Sequence, residues 1–499
     1  MIRPSPIQLA IAAISVLPLV AQAAPDLDTL TTTQAATDLC AGKYSSESLV
    51  RAMLERARSR TDLNAFITLD ETGALSAARA IDSARTVGHC KPLEGVPVVI
   101  KDNIEVAGLP TTAGTPALKD HVPQSDAPVV ASLRSAGAII LGKTNMHELA
   151  FGITGYNTAF MTSDEPGVRN AYDRSKIAGG SSSGNGAAIG ARIVTAGLGT
   201  DTGGSVRIPC ALNGCAALRP TVGRYSQQGI VPISHTRDTA GPMAASMADL
   251  ALIDRVIAGG DEIEAADLSN IRVGVVAAKL ANLDADTQAA FDDALAKMKA
   301  FGVTIVEVDM PGLMDLNGAI GFPLALYEAY DDMVKYLDAS SAGKTIAEVA
   351  QGISSPDVKG TYDGLVMPRK LPGPDNTLID AQPAYEAAMT TSRPALQALY
   401  EETFGQHSLD ALVFPTVPIV AIDATPDSSS VGNFVTYIQN TDPGSNAGLP
   451  GLQLPIALGA SSGLPVGLEL DGPIDSDRKL IAIGLALEDV FGRLPAPPR

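Results

Sequence analysis

The sequence IAGGSSSGNGAAIG, residues 177–190, is a run of glycine, serine and small apolar residues near the middle of the chain. Small residues let backbone segments approach where larger side chains would obstruct. A phosphate-binding loop is disfavoured because Asn185 stands where that loop needs its lysine. A flexible linker is also disfavoured, since apolar sequence from Ala187 to Val194 flanks the glycine-serine motif on its C-terminal side. The segment is therefore expected to be ordered and to lie at a site.

One alternative for this segment is the nucleophile elbow of α/β-hydrolases. Residues 180–184 read G-S-S-S-G and fit the pattern G-x-S-x-G, which would make Ser182 the nucleophile. An elbow follows an apolar strand, however, whereas Tyr172–Lys176 is polar and typical of a turn. The elbow stays open as the less favoured interpretation.

Two further elements carry chemistry. Residues 199–209 read G-T-D-T-G-G-S-V-R-I-P and form a second glycine-serine cluster, which includes Ser205. Lys101 directly follows the apolar run from Val96 to Ile100. Because active sites of open α/β sheets collect at strand ends, this cation is a candidate site residue.

Short apolar runs alternate with amphipathic stretches along the chain. Ser46–Arg58 and Asp284–Phe301 are predicted as helices. Strands are predicted at residues 95–100, 138–141, 271–276, 303–308, 412–414 and 466–470. This alternation predicts an α/β fold in which helices cover both faces of a sheet. The less periodic stretches 311–380 and 423–445 are interpreted as insertions over a site.

Taken together, these segments resemble the amidase signature family, whose members hydrolyse carboxylic amides with a Ser-cisSer-Lys triad. The sequences PTVG at 220–223 and DTAGPM at 238–243 follow in family order, and NAGLP at 446–450 and GLPVG at 463–467 match more weakly. The resemblance implies a large mixed sheet covered by helices on both faces, within a single domain spanning residues 24–499. A departure is Arg219, which stands where a lysine is common.

By this resemblance Ser205 is the nucleophile, Ser181 the bridging serine after a cis bond from Gly180, and Lys101 the base. A lysine accepts a proton only when neutral, and its usual pKa is about 10.4, so burial must lower the pKa of Lys101. The loop of Thr202, Gly203 and Gly204 can turn backbone N–H groups toward an oxyanion. Supporting roles are expected for Gly180, Ser182, Asp201 and Arg207.

The segments 110–116 and 145–152 resemble mandelamide and indoleacetamide hydrolases within that family. The predicted substrates are therefore small aryl or arylalkyl amides. The chain has no Trp and 4% aromatic residues, so we expect a largely aliphatic pocket with a few aromatics. The candidate substrate-binding residues are Met146, Phe151, Tyr156 and Phe160.

Several other functions remain as alternatives. Within the family these are a peptide amidase or acylamide amidase, an esterase, and the glutaminase subunit of a transamidosome. Outside it, an extracytoplasmic solute-binding protein would share the size and the α/β pattern, but it has no need of Lys101, Ser181 and Ser205 together. Hydrolysis of any simple amide separates the enzyme from the binding protein.

The composition of the chain indicates which kinds of ligand and partner to expect. With 36 Lys+Arg against 55 Asp+Glu, the 499-residue chain carries a net charge of −19, which argues against a nucleic-acid partner. The five histidines contain no close pair with metal-ligand spacing, so no metal and no cofactor is expected. The expected partner is a small amide, neutral rather than anionic because of the acidic surface.

The first residues predict export. Arg3, the apolar run Ile7–Val20 and the ending Ala-Gln-Ala23 form a secretory signal, with cleavage after Ala23. The apolar run is shorter than the roughly 18 to 20 residues that span a bilayer, so no membrane association is expected after cleavage. We therefore predict a secreted or periplasmic protein.

An oxidising compartment permits disulfide bonds. Cys40 and Cys90 are candidates for such a bond, although the sequence alone does not fix the pairing. Cys210 and Cys215 are expected to pack as small buried apolar side chains behind the Ser205 loop.

Overall fold

A computed structural model describes residues 25–498, and its centre is a mixed β-sheet of eleven strands. The strands of this sheet and of a small hairpin, in chain order, are β1 Phe66–Leu69, β2 Pro97–Lys101, β3 Ile139–Thr144, β4 Ala196–Asp201, β5 Ala216–Arg219, β6 Thr239–Ala244, β7 Arg272–Val276, β8 Thr304–Val308, β9 Lys370–Pro372, β10 Leu378–Asp380, β11 Ala411–Pro415, β12 Gly451–Leu458 and β13 Pro465–Asp471. The predicted signal peptide lies outside the described residues.

The sheet is mixed, as its strand order shows. Across the sheet the order is β1-β3-β2-β4-β6-β5-β12-β13-β11-β7-β8, while β9 and β10 form the separate hairpin. Strand β2 is parallel to both of its neighbours, β3 and β4. Each neighbouring pair is antiparallel in the part of the sheet that runs β4-β6-β5-β12-β13-β11. The predicted α/β class with a large mixed sheet is confirmed.

Sixteen α-helices surround the sheet in the described chain. They are α1 Thr32–Cys40, α2 Ser46–Ser59, α3 Glu71–Ala84, α4 Pro128–Ser135, α5 Ser183–Gly190, α6 Arg207–Asn213, α7 Met247–Ala258, α8 Ala285–Ala300, α9 Leu313–Ala339, α10 Ile346–Gln351, α11 Pro356–Thr361, α12 Ala381–Ala387, α13 Arg393–His407, α14 Val431–Ile438, α15 Asp442–Ala447 and α16 Asp477–Phe491. The two helices predicted from apolar periodicity are α2 and α8.

Alternating side chains of β2 show how the sheet divides the core. Val98 and Ile100 belong to a cluster with residues of α4, α7 and α16, whereas Val99 packs in a second cluster with residues of α2 and α5. Successive side chains of a strand point to opposite faces, so helices cover both sides of the sheet. By the same alternation Lys101 lies on the face of Val99, the side that α5 covers.

Two of the strands that the sequence analysis missed are rich in small residues. Strand β4 reads AGLGTD and β6 reads TAGPMA, and neither shows a β-branched run. Tertiary pairing makes them strands, because β4 bonds to β2 on one side and to β6 on the other. Both strands lie near the middle of the sheet, and β4 is the neighbour of β2, the strand that ends at Lys101.

The stretches interpreted as insertions are largely helical. Residues 311–380 contain the long helix α9, the helices α10 and α11 and the β9–β10 hairpin. Their apolar side chains form a separate cluster that includes Met333, Val349 and Tyr362. Helix α14 lies in the second stretch. In the described part of the chain no helix is both long enough and apolar enough to cross a bilayer.

The four cysteines form two disulfide bonds. The predicted bond between Cys40 and Cys90 is confirmed, with their Cα atoms 5.8 Å apart. The expectation that Cys210 and Cys215 pack as unpaired side chains is wrong, because they are bonded to each other. The chain reverses at Gly214, whose φ of 70° lies in the left-handed region, and this turn brings Cys215 back to the end of α6. Both side chains are nevertheless fully buried, as expected.

Candidate active site

Strand β2 ends at Lys101, a fully buried lysine. Its Nζ atom donates hydrogen bonds to Ser181 Oγ and to Thr200 Oγ1, both at 2.7 Å. Burial lowers the pKa of the Lys101 amine to about 7, although the carboxylates of Asp201 and Asp238 act in the opposite direction. A substantial fraction of this amine is therefore neutral at neutral pH and able to accept a proton.

Ser181 precedes α5 and follows two glycines. The peptide bond from Gly180 to Ser181 is cis, as the family resemblance implies. Gly179 has a φ of 75°, and a Cβ atom on Gly180 would lie 3.0 Å from the backbone carbon of Ile153. These glycines are needed because the chain turns in the left-handed region and then passes against another backbone segment.

Ser205 lies in the loop between β4 and α6 and opens into a cavity. Its carbonyl accepts a hydrogen bond from the backbone N–H of Ser182 at 3.0 Å, which fixes the two serine segments side by side. Within the described chain the Ser205 hydroxyl has no hydrogen-bond partner and is not bonded to the Ser181 hydroxyl. Catalytic hydrogen bonds of unliganded enzymes are often long and tighten when substrate binds.

Ser182 is placed differently from Ser205. Its side chain is fully buried, and its Oγ donates to the Thr200 carbonyl at 3.1 Å. The residue directly precedes α5 without following a strand, and it does not line the cavity. This position disfavours the nucleophile elbow, since the elbow serine must be exposed at the end of a strand.

The loop of residues 202–204 matches its expected role only in part. Thr202 and Gly203 line the cavity beside Ser205. The backbone N–H of Gly204, however, donates to Asp201 Oδ1 at 2.8 Å, so it is already used within the loop. The expectation that Gly204 binds the oxyanion is therefore corrected. Among the described residues, the N–H groups of Thr202, Gly203 and Ser205 have no acceptor, so they are the available donors.

Two buried arginines hold the carboxylate of Asp201. Arg207 Nη2 lies 3.0 Å from Asp201 Oδ1, and Arg219 Nη1 lies 3.0 Å from the same oxygen. These positive charges keep the pKa of Asp201 well below its usual range despite its burial. Arg219 also donates to the Asp201 carbonyl at 2.7 Å. The pair of arginines therefore fixes the loop that carries Ser205.

The cavity at Ser205 has a volume of about 620 Å³, within the range of roughly 300 to 1,000 Å³ that is typical of small-molecule sites. Phe151 lines it, as predicted. Other apolar side chains come from the two insertions and include Phe322 of α9 and Phe434 of α14. The lining also contains the ion pair of Arg237 with Asp442.

Three predicted substrate-binding residues do not line this cavity. Met146 is fully buried and packs in a small apolar cluster with Ala150 and Phe151. Tyr156 packs against Gly167, and the Phe160 carbonyl accepts a hydrogen bond from Asn145 Nδ2 at 2.7 Å. Proximity in sequence to Phe151 is misleading here because the chain turns away from the cavity after Thr154.

The sequence analysis missed several polar residues of the site. Thr200 bonds to Lys101 and accepts a further hydrogen bond from Asn103 Nδ2 at 3.1 Å. His147 lines the cavity and its Nε2 atom lies 2.9 Å from Asp357 Oδ2. His147 lies in the motif at 145–152, but the motif alone does not reveal a carboxylate from α11, 210 residues away.

One group away from Ser205 has metal-ligand chemistry. Ligand atoms of His235, Glu328 and Asp332 lie within 4.8 Å of one another. The chain itself already occupies these atoms, since His235 Nδ1 lies 2.8 Å from Asp332 Oδ2 and the Thr236 hydroxyl donates to Glu328 at 2.9 Å. We therefore interpret the group as the attachment of residues 234–236 to α9.

Comparison with known proteins identifies the family. Residues 48–481 match the protein family described as Amidase. The chain belongs to the amidase family. The amidase is 45% identical to mandelamide hydrolase from Pseudomonas putida over 94% of this chain and 93% of the relative. It is 40% identical to indoleacetamide hydrolase from Rhizobium radiobacter over 90% of this chain and 94% of the relative.

A solved structure agrees with this assignment. Native peptide amidase from Stenotrophomonas maltophilia superimposes with a TM-score of 0.79 at 29% identity, covering 94% of the amidase and 98% of that chain. The amidase is therefore an enzyme that hydrolyses carboxylic amides, and the solute-binding alternative is set aside. The individual roles of Lys101, Ser181 and Ser205 rest on the family resemblance and on the geometry above.

Proposed function

We propose that the protein hydrolyses small aryl or arylalkyl carboxamides through an acyl-enzyme on Ser205. The observation that carries the proposal is the buried hydrogen bond from Lys101 to Ser181 beside a cavity into which Ser205 opens. Relatives named for mandelamide and indoleacetamide, each an amide with an aromatic ring, support the substrate class. The apolar lining with Phe151, Phe322 and Phe434 supports it as well.

Acylation begins when Ser205 Oγ attacks the amide carbon. Its proton passes to Ser181 Oγ as Ser181 gives its own proton to neutral Lys101. The N–H groups of Gly203 and Ser205 are available to the oxyanion of the tetrahedral intermediate. A proton then passes from Lys101 through Ser181 Oγ to the leaving nitrogen, the C–N bond breaks, and ammonia or an amine departs.

Deacylation repeats these transfers with water. A water molecule attacks the Ser205 ester while its proton passes to Ser181 and on to Lys101. The ester C–O bond then breaks, Ser205 Oγ recovers a proton, and the carboxylic acid is released. Ser181 and Lys101 serve in both acylation and deacylation, because each of these steps needs a group that first accepts a proton and then donates one.

The test is an amide panel. We expect the purified protein to release ammonia from phenylacetamide and mandelamide with a higher kcat/KM than from glutamine. The net charge of −19 disfavours a substrate that carries a free carboxylate, and this part of the preference weakens with salt. Faster turnover of glutamine than of phenylacetamide would reject the substrate class.

The similarity to a peptide amidase favours one second candidate, the hydrolysis of C-terminal peptide amides. The ion pair of Arg237 with Asp442 in the cavity wall could contact a peptide backbone. Adding a dipeptide amide to the panel distinguishes the two candidates, since a higher kcat/KM on the peptide amide than on phenylacetamide favours the second. A matched benzyl ester in the same panel measures esterase activity.

We also propose that the protein is exported. The proposal rests on the basic start, apolar run and Ala-Gln-Ala23 ending of the first residues. The disulfide between Cys40 and Cys90 agrees with an oxidising compartment. Sequencing the N-terminus of the protein purified from its native host is the test, and we expect it to begin at Ala24.

A further inference from the structure

Helix α14 turns an apolar face to the cavity, while Tyr437 of the same helix packs in the core. Val431, Phe434, Val435 and Ile438 follow one another at helical spacing, and all four line the cavity. Val431 is 74% exposed and Val435 is 49% exposed. An apolar helical stripe of this kind is normally buried against a neighbouring element, so this one lacks a covering group.

The first half of α9 forms the facing wall. Met314, Gly318, Phe322 and Ala325 lie on one face of the helix and line the same cavity. The ring centroids of Phe322 and Phe434 lie 5.8 Å apart, so α9 and α14 contact each other through these two side chains. Of the ten large apolar side chains that are exposed in the described chain, four line this cavity, namely Met314, Phe322, Val431 and Val435. Such clustering marks a binding groove rather than scattered surface residues.

The positions of three glycines show which part of this groove lies near Ser205 and which part lies farther away. A Cβ atom on Gly203, beside the nucleophile, would lie 3.0 Å from Asp442 Oδ1, and one on Gly321 would lie 2.8 Å from Asp442 Oδ2. Gly321 is therefore the part of the α9 wall that lies beside the nucleophile loop. A Cβ atom on Gly318 would meet no atom within 4 Å. At 1.5 Å per residue, the wall continues about 10 Å from Gly321 to Met314.

We propose that this outer groove, formed by Met314, Gly318, Phe322, Val431 and Val435, binds an extended apolar group of the substrate. The inference rests on the proposed function and narrows it, because it favours amides whose apolar part reaches beyond a single arylacetamide. An apolar group there would cover side chains that are now exposed to water, and each buried methylene adds up to about fourfold in kcat/KM.

The experiment compares ω-phenylalkanamides from phenylacetamide to 8-phenyloctanamide. We expect kcat/KM to rise with chain length, mainly through a falling KM. A second series, N-alkyl phenylacetamides, shows whether the group is carried on the acyl or the amine side, and a rise in either series supports the groove. If kcat/KM does not change with chain length in either series while phenylacetamide is hydrolysed, the proposal that the groove binds substrate is wrong and the proposed function stands. If no arylalkyl amide of any length is hydrolysed while a peptide amide is, the proposed function itself fails, and this inference with it.

Two pairs of variants test the location. Gly318→Leu should lower the ratio of kcat/KM for the long amide to that for phenylacetamide at least about tenfold, because the leucine fills the open groove. Gly405→Leu is its control, since Gly405 is an exposed glycine of α13 whose added Cβ would also meet no atom within 4 Å. Phe322→Ala should lower the ratio too, whereas Phe301→Ala, at a phenylalanine 58% exposed after α8, should leave it unchanged. An equal ratio in Gly318→Leu and Gly405→Leu, with both folded by circular dichroism, would overturn the proposal.

Discussion

The Nζ atom of Lys101 lies 2.7 Å from Ser181 Oγ, although 80 residues separate the two in the chain. The register of β2 explains this approach, because Lys101 shares the face of Val99, and that face is covered by the helix that follows Ser181. The contact joins a group that can accept a proton to a group that can relay one. Its consequences can be measured one residue at a time.

Ser205→Ala should abolish amide hydrolysis while the protein stays folded. The nucleophile is lost, so we expect kcat/KM to fall by at least about a thousandfold. The Ser205 hydroxyl has no hydrogen-bond partner in the described chain, so the free energy of unfolding should change by less than about 0.5 kcal/mol. Ammonia release and urea unfolding of the two proteins provide the measurement.

Ser182→Ala is the matched comparison. This substitution removes a buried hydrogen bond to the Thr200 carbonyl, so we expect a loss of stability of about 1 kcal/mol and a smaller loss of activity than in Ser205→Ala. The opposite pattern, with Ser182→Ala inactive and Ser205→Ala active, would favour the nucleophile elbow.

Activity should rise with pH through the pKa of Lys101. The base must be neutral, and burial lowers the pKa of this amine to about 7. Below that value the neutral fraction falls about tenfold per pH unit, so log kcat/KM should increase with a slope near one and then level off above pH 7. A pH profile on phenylacetamide measures this, and a profile that falls between pH 5 and 8 would reject the neutral base.

Lys101→Met should remove this pH-dependent activity altogether. Methionine fills a similar apolar volume but accepts no proton, and Lys101 itself is fully buried, so the variant should fold. Treating the wild-type enzyme with a metal chelator should leave the rate unchanged. Full inhibition by the chelator, reversed by added zinc, would overturn the serine–lysine mechanism.

The sequence predicted those parts of the site that adjacent residues carry. Lys101 was a candidate because it ends an apolar run, whereas Ser181 and Ser205 were chosen, and all three roles assigned, from the resemblance of their motifs to the amidase signature family. The α/β class followed from the alternation of runs. These residues could be located from sequence because each lies within or next to the motif or strand that positions it.

Contacts between distant segments could not be predicted in the same way. Thr200 reaches Lys101 only because β4 pairs with β2, and Phe434 lines the cavity from a stretch with no recognised periodicity. The Gly204 N–H looked available as an oxyanion donor until the structure placed the Asp201 carboxylate on it. The disulfide between Cys210 and Cys215 depends on a backbone reversal after α6, which residue spacing alone does not predict.

Removing one arginine from the buried Asp201 group should destabilise the fold. Arg219→Met leaves the Asp201 carbonyl and the Arg237 carbonyl without the donors that lie 2.7 Å away. We expect a loss of about 3 to 5 kcal/mol in the free energy of unfolding, as when one partner of a buried ion pair is removed. Arg219→Lys keeps the charge but not the planar set of donors, and should lose about 1 to 2 kcal/mol.

The control for this comparison is an exposed ion pair. Arg51 is 55% exposed and pairs with Glu47 within α2, so Arg51→Met should cost less than about 1 kcal/mol. Urea unfolding at pH 7 measures all three variants. If Arg219→Met and Arg51→Met are equally stable, the arginines do not hold the Ser205 loop as described.

The two disulfides should differ in their response to reductant. Cys40 and Cys90 are partly exposed, whereas Cys210 and Cys215 are fully buried, so mild reduction of the native protein followed by alkylation should label only the first pair.

The two bonds should also differ in how much they stabilise the fold, because they close loops of 50 and 5 residues. In the chain-entropy model these loops correspond to about 4 and about 2 kcal/mol of stability, so replacing both cysteines of the first pair by alanine should cost more than replacing both of the second. Peptide mass mapping identifies the labelled cysteines, urea unfolding measures the variants, and four free thiols in the unreduced protein would contradict both bonds.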